Sequence, residues 1–114
     1  MDTGEIRLRV LAILHSSLSV QAGVFLFGSR ARKDHQAFSD FDIGLIAREP
    51  IDPQEIRHAK ALLEESNLPF TVDLVDFRVA RESFVRIAAK EIEVWSNPFL
   101  VNTLLKNTGK PGKP

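Results

Sequence analysis

Between Val24 and Ile46 the chain reads Val24-Phe25-Leu26-Phe27-Gly28-Ser29-Arg30-Ala31-Arg32, then a polar loop, then Ser39-Asp40-Phe41-Asp42-Ile43-Gly44-Leu45-Ile46. The first four residues are wholly apolar and rich in β-formers, which predicts a short strand covered on both faces. Gly28 breaks that strand, because a glycine lets the backbone turn tightly and come close to a ligand. Residues 41–46 predict a second strand, stopped by Arg48-Glu49-Pro50. Asp40 and Asp42 stand two positions apart, so on a strand they share a face, with α-carbons roughly 6.5–7 Å from one another.

On the N-terminal side, Ile6, Val10, Ile13 and Leu14 recur at helical spacing and predict an amphipathic helix over residues 4–19. On the C-terminal side, Asp52-Pro53-Gln54-Glu55 has the make-up of a helix start: an N-cap, a proline in the first turn and a Glu at the capping-box position. The helix it opens carries Ile56, Ala59, Leu62 and Leu63 on one face and stops near residues 67–69. A third strand is expected over 70–76, and a helix over 80–90 with Phe84, Ile87 and Ala88 on its buried side. Ile92 and Val94 alternate with Glu91 and Glu93 in a short edge strand reaching Trp95, before a brief helix over 99–105. Such alternation is that of an α/β (α+β) fold, one mixed sheet flanked by helices. The folded domain is expected to span 1–106, with 107–114 a flexible tail too poor in apolar side chains to order itself.

A chain of 114 residues fits a single domain, and 44% hydrophobic with 26% charged residues is the composition of a globular protein with a real core. Fifteen basic and fifteen acidic side chains cancel, so no overall field holds nucleic acid; direct binding to it is not expected, and any phosphate site must be local. The lack of cysteine excludes disulfides, thiolate catalysis and zinc fingers, and fits a reducing cytoplasm. Apolar runs fall far short of the ~20 residues that cross a bilayer. The start, with Asp2 and Glu5, has no basic-then-apolar export pattern. A cytoplasmic protein without a membrane partner is therefore expected.

Two carboxylates on a rigid strand beside a glycine bend suit magnesium, a hard cation that takes oxygen ligands and is completed by substrate phosphates and water. Gly28, Ser29, Arg30 and Ser39 are the candidate nucleotide contacts, Ser29 adding a hydroxyl donor at the bend. Arg32 and Lys33 read as solvated surface. Asp73 is the anomaly of an otherwise apolar Val72-Asp73-Leu74-Val75 strand, and burying an unpaired carboxylate is expensive. If that strand neighbours the second one at about 4.8 Å, Asp73 joins Asp40 and Asp42, and a metal offsets the cost. Asp76 falls on the opposite face. His15, His35 and His58 have no metal-ligand spacing, although His35 lies in the loop near the bend. Trp95 and the phenylalanines read as core or interface anchors rather than base-stacking platforms. Taken singly, Gly28-Ser29 is an ordinary strand-to-helix turn and Asp40 a loop cap; joined at this spacing, with Asp73 following, they make a metal-phosphate site.

Gly28-Ser29, a loop, Asp40-Phe41-Asp42 and then Val-Asp-Leu-Val around Asp73 resemble the signature of the DNA polymerase β-like nucleotidyltransferase superfamily. The short chain resembles its minimal nucleotidyltransferase (MNT, MntA-like) members, and the likeness spans most of residues 24–95. That resemblance implies a palm-like mixed sheet, Asp40, Asp42 and Asp73 as catalytic magnesium ligands, and Gly28-Ser29 as the triphosphate-binding turn. It implies ATP as the nucleoside triphosphate substrate and an acceptor hydroxyl. Members of this group commonly stand beside a helical HEPN-type toxin as its antitoxin, and some add AMP to a tyrosine of that partner. An antitoxin that masks its partner by contact alone, or transfer to RNA or a small molecule, are the alternatives. Larger relatives grip the base and acceptor with an extra helical domain for which this chain leaves no residues, so a homo- or hetero-oligomer is expected to complete the site. Family members often carry Gly where this chain has Lys33.

Overall fold

The computed structural model describes residues 1–34 and 39–107; His35 and the expected tail beyond residue 107 lie outside them. In chain order the described residues form α1 (Thr3–Ser17), β1 (Ala22–Phe27), α2 (Ser29–Arg32), β2 (Phe41–Ala47), α3 (Pro53–Glu65), β3 (Val72–Asp76), α4 (Glu82–Ala88), β4 (Glu93–Ser96) and α5 (Pro98–Asn107). The strands make one mixed sheet in the order β3-β2-β1-β4. β1 is antiparallel to both its neighbours, and β2 and β3 run parallel, joined by α3 as a crossover helix.

Side-chain alternation divides the core into two layers. Val24 and Leu26 of β1, Phe41, Ile43 and Leu45 of β2 and Leu74 of β3 pack against Ile6, Val10 and Leu14 of α1 and Ala59 and Leu63 of α3. The intervening residues Phe25, Phe27 and Ile46 point the other way, onto Phe77, Val85 of α4 and Val101 of α5. Every residue of β1 is buried, as expected for a strand covered on both faces. Gly44 is required by the second layer, since any side chain there would run into the Phe25 ring. The same alternation carries Asp42 and Asp73 to the α4 side of the sheet, because each stands one position away from a residue of the α1–α3 layer.

Two local expectations are corrected. Asp52 does cap α3, accepting from the Gln54 N–H at 2.9 Å, with Pro53 in the first turn. Glu55, however, does not close a capping box: its Oε1 accepts from the Ser19 N–H at 3.0 Å and ties α3 to the α1–β1 connection. In α4 the buried residue is Val85, while Phe84 and Ile87 are 40% and 69% exposed. Residues 84, 85, 87 and 88 are all apolar, so a two-turn helix has two apolar edges. Val85 and Ala88 seat it on the second layer of the core, and Phe84 and Ile87 turn toward a cleft.

Candidate active site

At the end of β1 the chain bends at Gly28, whose φ of 79° and ψ of −157° lie in a region that side-chain-bearing residues do not occupy. A β-carbon there would also collide with the Asp42 carboxylate, so only glycine lets the bend sit against that side chain. The Gly28 carbonyl accepts from the Ala31 and Arg32 N–H groups, both at 3.1 Å, winding 29–32 into a single turn. Lys33 closes it with φ 64° and ψ 27°, its N–H donating to the Ser29 carbonyl. This is the left-handed conformation that glycine adopts most cheaply, and the lysine keeps the same turn. Lys33→Gly is therefore expected to leave the melting temperature within a few degrees of wild type, whereas β-branched Lys33→Val lowers stability by about 1–2 kcal/mol. Thermal denaturation of both variants checks this.

The carboxylates come from adjacent strands. Asp42 is in register with Phe27 on one side and with Asp73 on the other, and Asp40 immediately precedes β2. Asp42 is half-buried, and its carboxyl titrates above the usual range, first through burial, then through the negative charges of Asp73 and Asp40; Arg32 opposes the shift. Hard oxygen donors that repel one another are the chemistry a hard divalent cation relieves, so the residues present fit magnesium in kind. They are not a finished cage: among the described residues no group of three potential ligands is arranged to hold an ion. Asp73 Oδ1 lies 3.9 Å from Lys60 Nζ, an ion pair at the sheet edge.

The expectation that Asp73 is buried is corrected by the same geometry. β3 is an edge strand, and the Asp73 side chain is 54% exposed, so it bears little desolvation cost. What joins it to Asp42 is register. Asp76, on the other face, caps a turn instead, its Oδ1 accepting from the Arg78 N–H at 2.9 Å.

A cleft of about 670 Å³ opens over these groups, a size ordinary for a small-molecule site. It is lined by Phe27 of β1, the Gly28-Ser29 bend with Arg32, Asp42 of β2, Asp73 and Val75 of β3, and Phe84, Ile87 and Ala88 of α4 with Lys90 and Glu91 just beyond it. Asp40 is exposed beside it and acts on it through charge. Arg30 and Ser39 are not among the described residues lining the cleft. The Arg30 guanidinium lies 3.9 Å from the Phe41 ring centroid and 4.6 Å from that of Phe70, and its Nε donates to the Ser39 carbonyl at 3.0 Å. Arg32 faces the cleft where a solvated surface was expected, and the signal for it was its spacing: in one helical turn it shares a side with Ser29.

A glycine bend against paired carboxylates at one end of a mixed palm-like sheet defines the class as a nucleotidyltransferase fold. The family profile for Polymerase beta, Nucleotidyltransferase matches residues 10–98, and the chain belongs to this family. It is 31% identical over 90 residues, 79% of each chain, to the probable protein adenylyltransferase MntA of Haemophilus influenzae. Two solved structures share the fold. A crystal structure of a toxin-antitoxin with AMP-PNP superposes with a TM-score of 0.73 at 21% identity, covering 87% of this chain and 79% of that one. A complex of tri-AMPylated Shewanella oneidensis HEPN toxin with MNT antitoxin gives 0.67 at 20% identity, over 87% and 76%. Among the described residues no helix is long and apolar enough to cross a membrane.

Proposed function

We propose that this chain moves AMP from ATP to a hydroxyl, a tyrosine in our reading, of a helical HEPN-type toxin, and so acts as its antitoxin. The observation that carries the proposal is Asp42 standing opposite Asp73 across the β2–β3 ladder, with the Gly28-Ser29 bend against it and one cleft over all of them. The protein adenylyltransferase named for the Haemophilus relative and the AMPylated toxin beside the Shewanella antitoxin support the choice of donor and acceptor.

In this reading the bend and the Ser29 hydroxyl receive the triphosphate, and Arg32 adds positive charge in the same cleft. Magnesium held by Asp40, Asp42 and Asp73 would supply charge neutralisation for the triphosphate and the departing pyrophosphate. The acceptor oxygen attacks the α-phosphorus, the bond to pyrophosphate breaks, and the hydroxyl proton passes to a carboxylate. Asp73, exposed and opposite Asp42, is our candidate either to share the metal or to accept that proton. Positioning and charge neutralisation do nearly all the work in such transfers.

The test is to incubate the chain with ATP, magnesium and its partner toxin and follow intact masses. The toxin is expected to gain whole AMP units. A toxin neutralised without any gain in mass would replace the proposal with masking by contact.

A further inference from the structure

We propose that Phe84 and Ile87 of α4 form the platform on which the base of the bound nucleotide rests, an inference that builds on the nucleotidyl-transfer reading above. Phe84 packs edge-on against Phe27 and at a tilt against Phe77, with ring centroids 5.8 and 5.7 Å away, yet 40% of the residue stays open. Phe77 is fully buried and itself packs edge-to-face on Phe25 at 4.7 Å and on Phe27 at 5.1 Å. The exposed ring is thus anchored in a rigid aromatic cluster, and its orientation is set before any ligand arrives. Ile87, one turn along the same side of α4, is 69% exposed and lines the same cleft.

The cleft is therefore two-sided in chemistry. The sheet side offers the glycine bend, Ser29, Arg32 and the carboxylates; α4 brings the exposed apolar side chains of Phe84 and Ile87, with Lys90 and Glu91 just beyond them. A nucleoside triphosphate has the same division, a highly charged tail that needs cations and donors and a flat π-faced base that needs an apolar surface. Stacking on an aromatic side chain tolerates any base but requires an exposed ring held still, which Phe84 supplies. Leu8, Val79 and Phe99 are also exposed, but none of them lines this cleft.

The experiment compares binding of ATP and of inorganic tripolyphosphate, in magnesium, to wild type, Phe84→Ala, Phe84→Leu and Ile87→Ser by calorimetry. Phe84→Ala is expected to weaken ATP about tenfold or more while leaving tripolyphosphate within about twofold. Phe84→Leu, which keeps the packing on Phe27 and Phe77 but removes the aromatic face, should fall between, and Ile87→Ser should lose ATP affinity with no change in melting temperature. Unchanged ATP affinity in folded Phe84→Leu and Ile87→Ser overturns the proposal and leaves nucleotide binding in this cleft intact. A rise confined to the KM for the protein acceptor also overturns it, giving this surface to the partner. Wild type that binds neither ATP nor tripolyphosphate overturns the underlying reading as well.

Discussion

Asparagine in place of Asp42 is expected to lower AMP transfer by about 10³-fold and, in metal-free buffer at neutral pH, to raise the melting temperature. Loss of activity follows if Asp42 is a ligand for a cation that stabilises transition-state charge by several kcal/mol, since each 1.36 kcal/mol is tenfold in rate. The gain in stability follows from the raised titration of Asp42, caused by burial and then by Asp73 and Asp40. A carboxyl whose folded value lies above its unfolded value of 3.8 favours the folded state only while protonated. Below the unfolded value nothing is lost; as pH rises through the folded value, the ionised side chain increasingly weakens the fold. Asparagine removes that penalty, so the two melting curves should coincide near pH 3 and separate toward pH 7. Magnesium should narrow the gap by stabilising wild type selectively. An Asn variant that melts lower than wild type at pH 7 would contradict this account of Asp42, and one that retains wild-type transfer would remove it from the machinery. Toxin neutralisation by an inactive variant would separate masking from catalysis.

How much was legible in the sequence depended on whether a residue's role was set along the chain or across it. The β1 strand and the Gly28 bend follow from local periodicity, and Val72–Asp76 meets the condition set for Asp73 by lying beside β2. Asp73 was picked for a cost it does not bear: an apolar stretch reads as buried, but β3 lies at the sheet edge, and strand order is not written in periodicity. Arg30 and Arg32 differ by two positions in a one-turn helix, so they point to different sides, and only the packing of Phe41 and Phe70 shows which one is taken up by rings. The face of α4 was misread because four apolar residues in seven fit two registers, and the choice rests on Val85 meeting a core made by Phe77 and Val101. The phenylalanines read as core anchors include Phe84, which packs on Phe77 of the core but is 40% exposed and lines the cleft.

Gly28→Ala is expected to reduce transfer about 10²-fold and to destabilise the fold by about 2–3 kcal/mol, with a fall in melting temperature on the order of 10 °C. Two separate costs combine. The backbone angles of Gly28 fall where only glycine is at ease, and its missing side chain is the space in which the Asp42 carboxylate sits. A methyl group must therefore either move the bend, misplacing Ser29, or push Asp42 from its position opposite Asp73. The double variant Gly28→Ala with Asp42→Ala separates the two costs, because deleting the carboxylate relieves the collision but not the backbone strain. It should recover part, not all, of the lost stability, a coupling that independent sites would not show. Full additivity of the two substitutions would mean that the bend does not lean on Asp42. Ser29→Ala, which changes neither backbone nor contact with Asp42, should keep the melting temperature and cost transfer alone; the bend and the carboxylate pair are thus one structure, joined where Gly28 has no side chain.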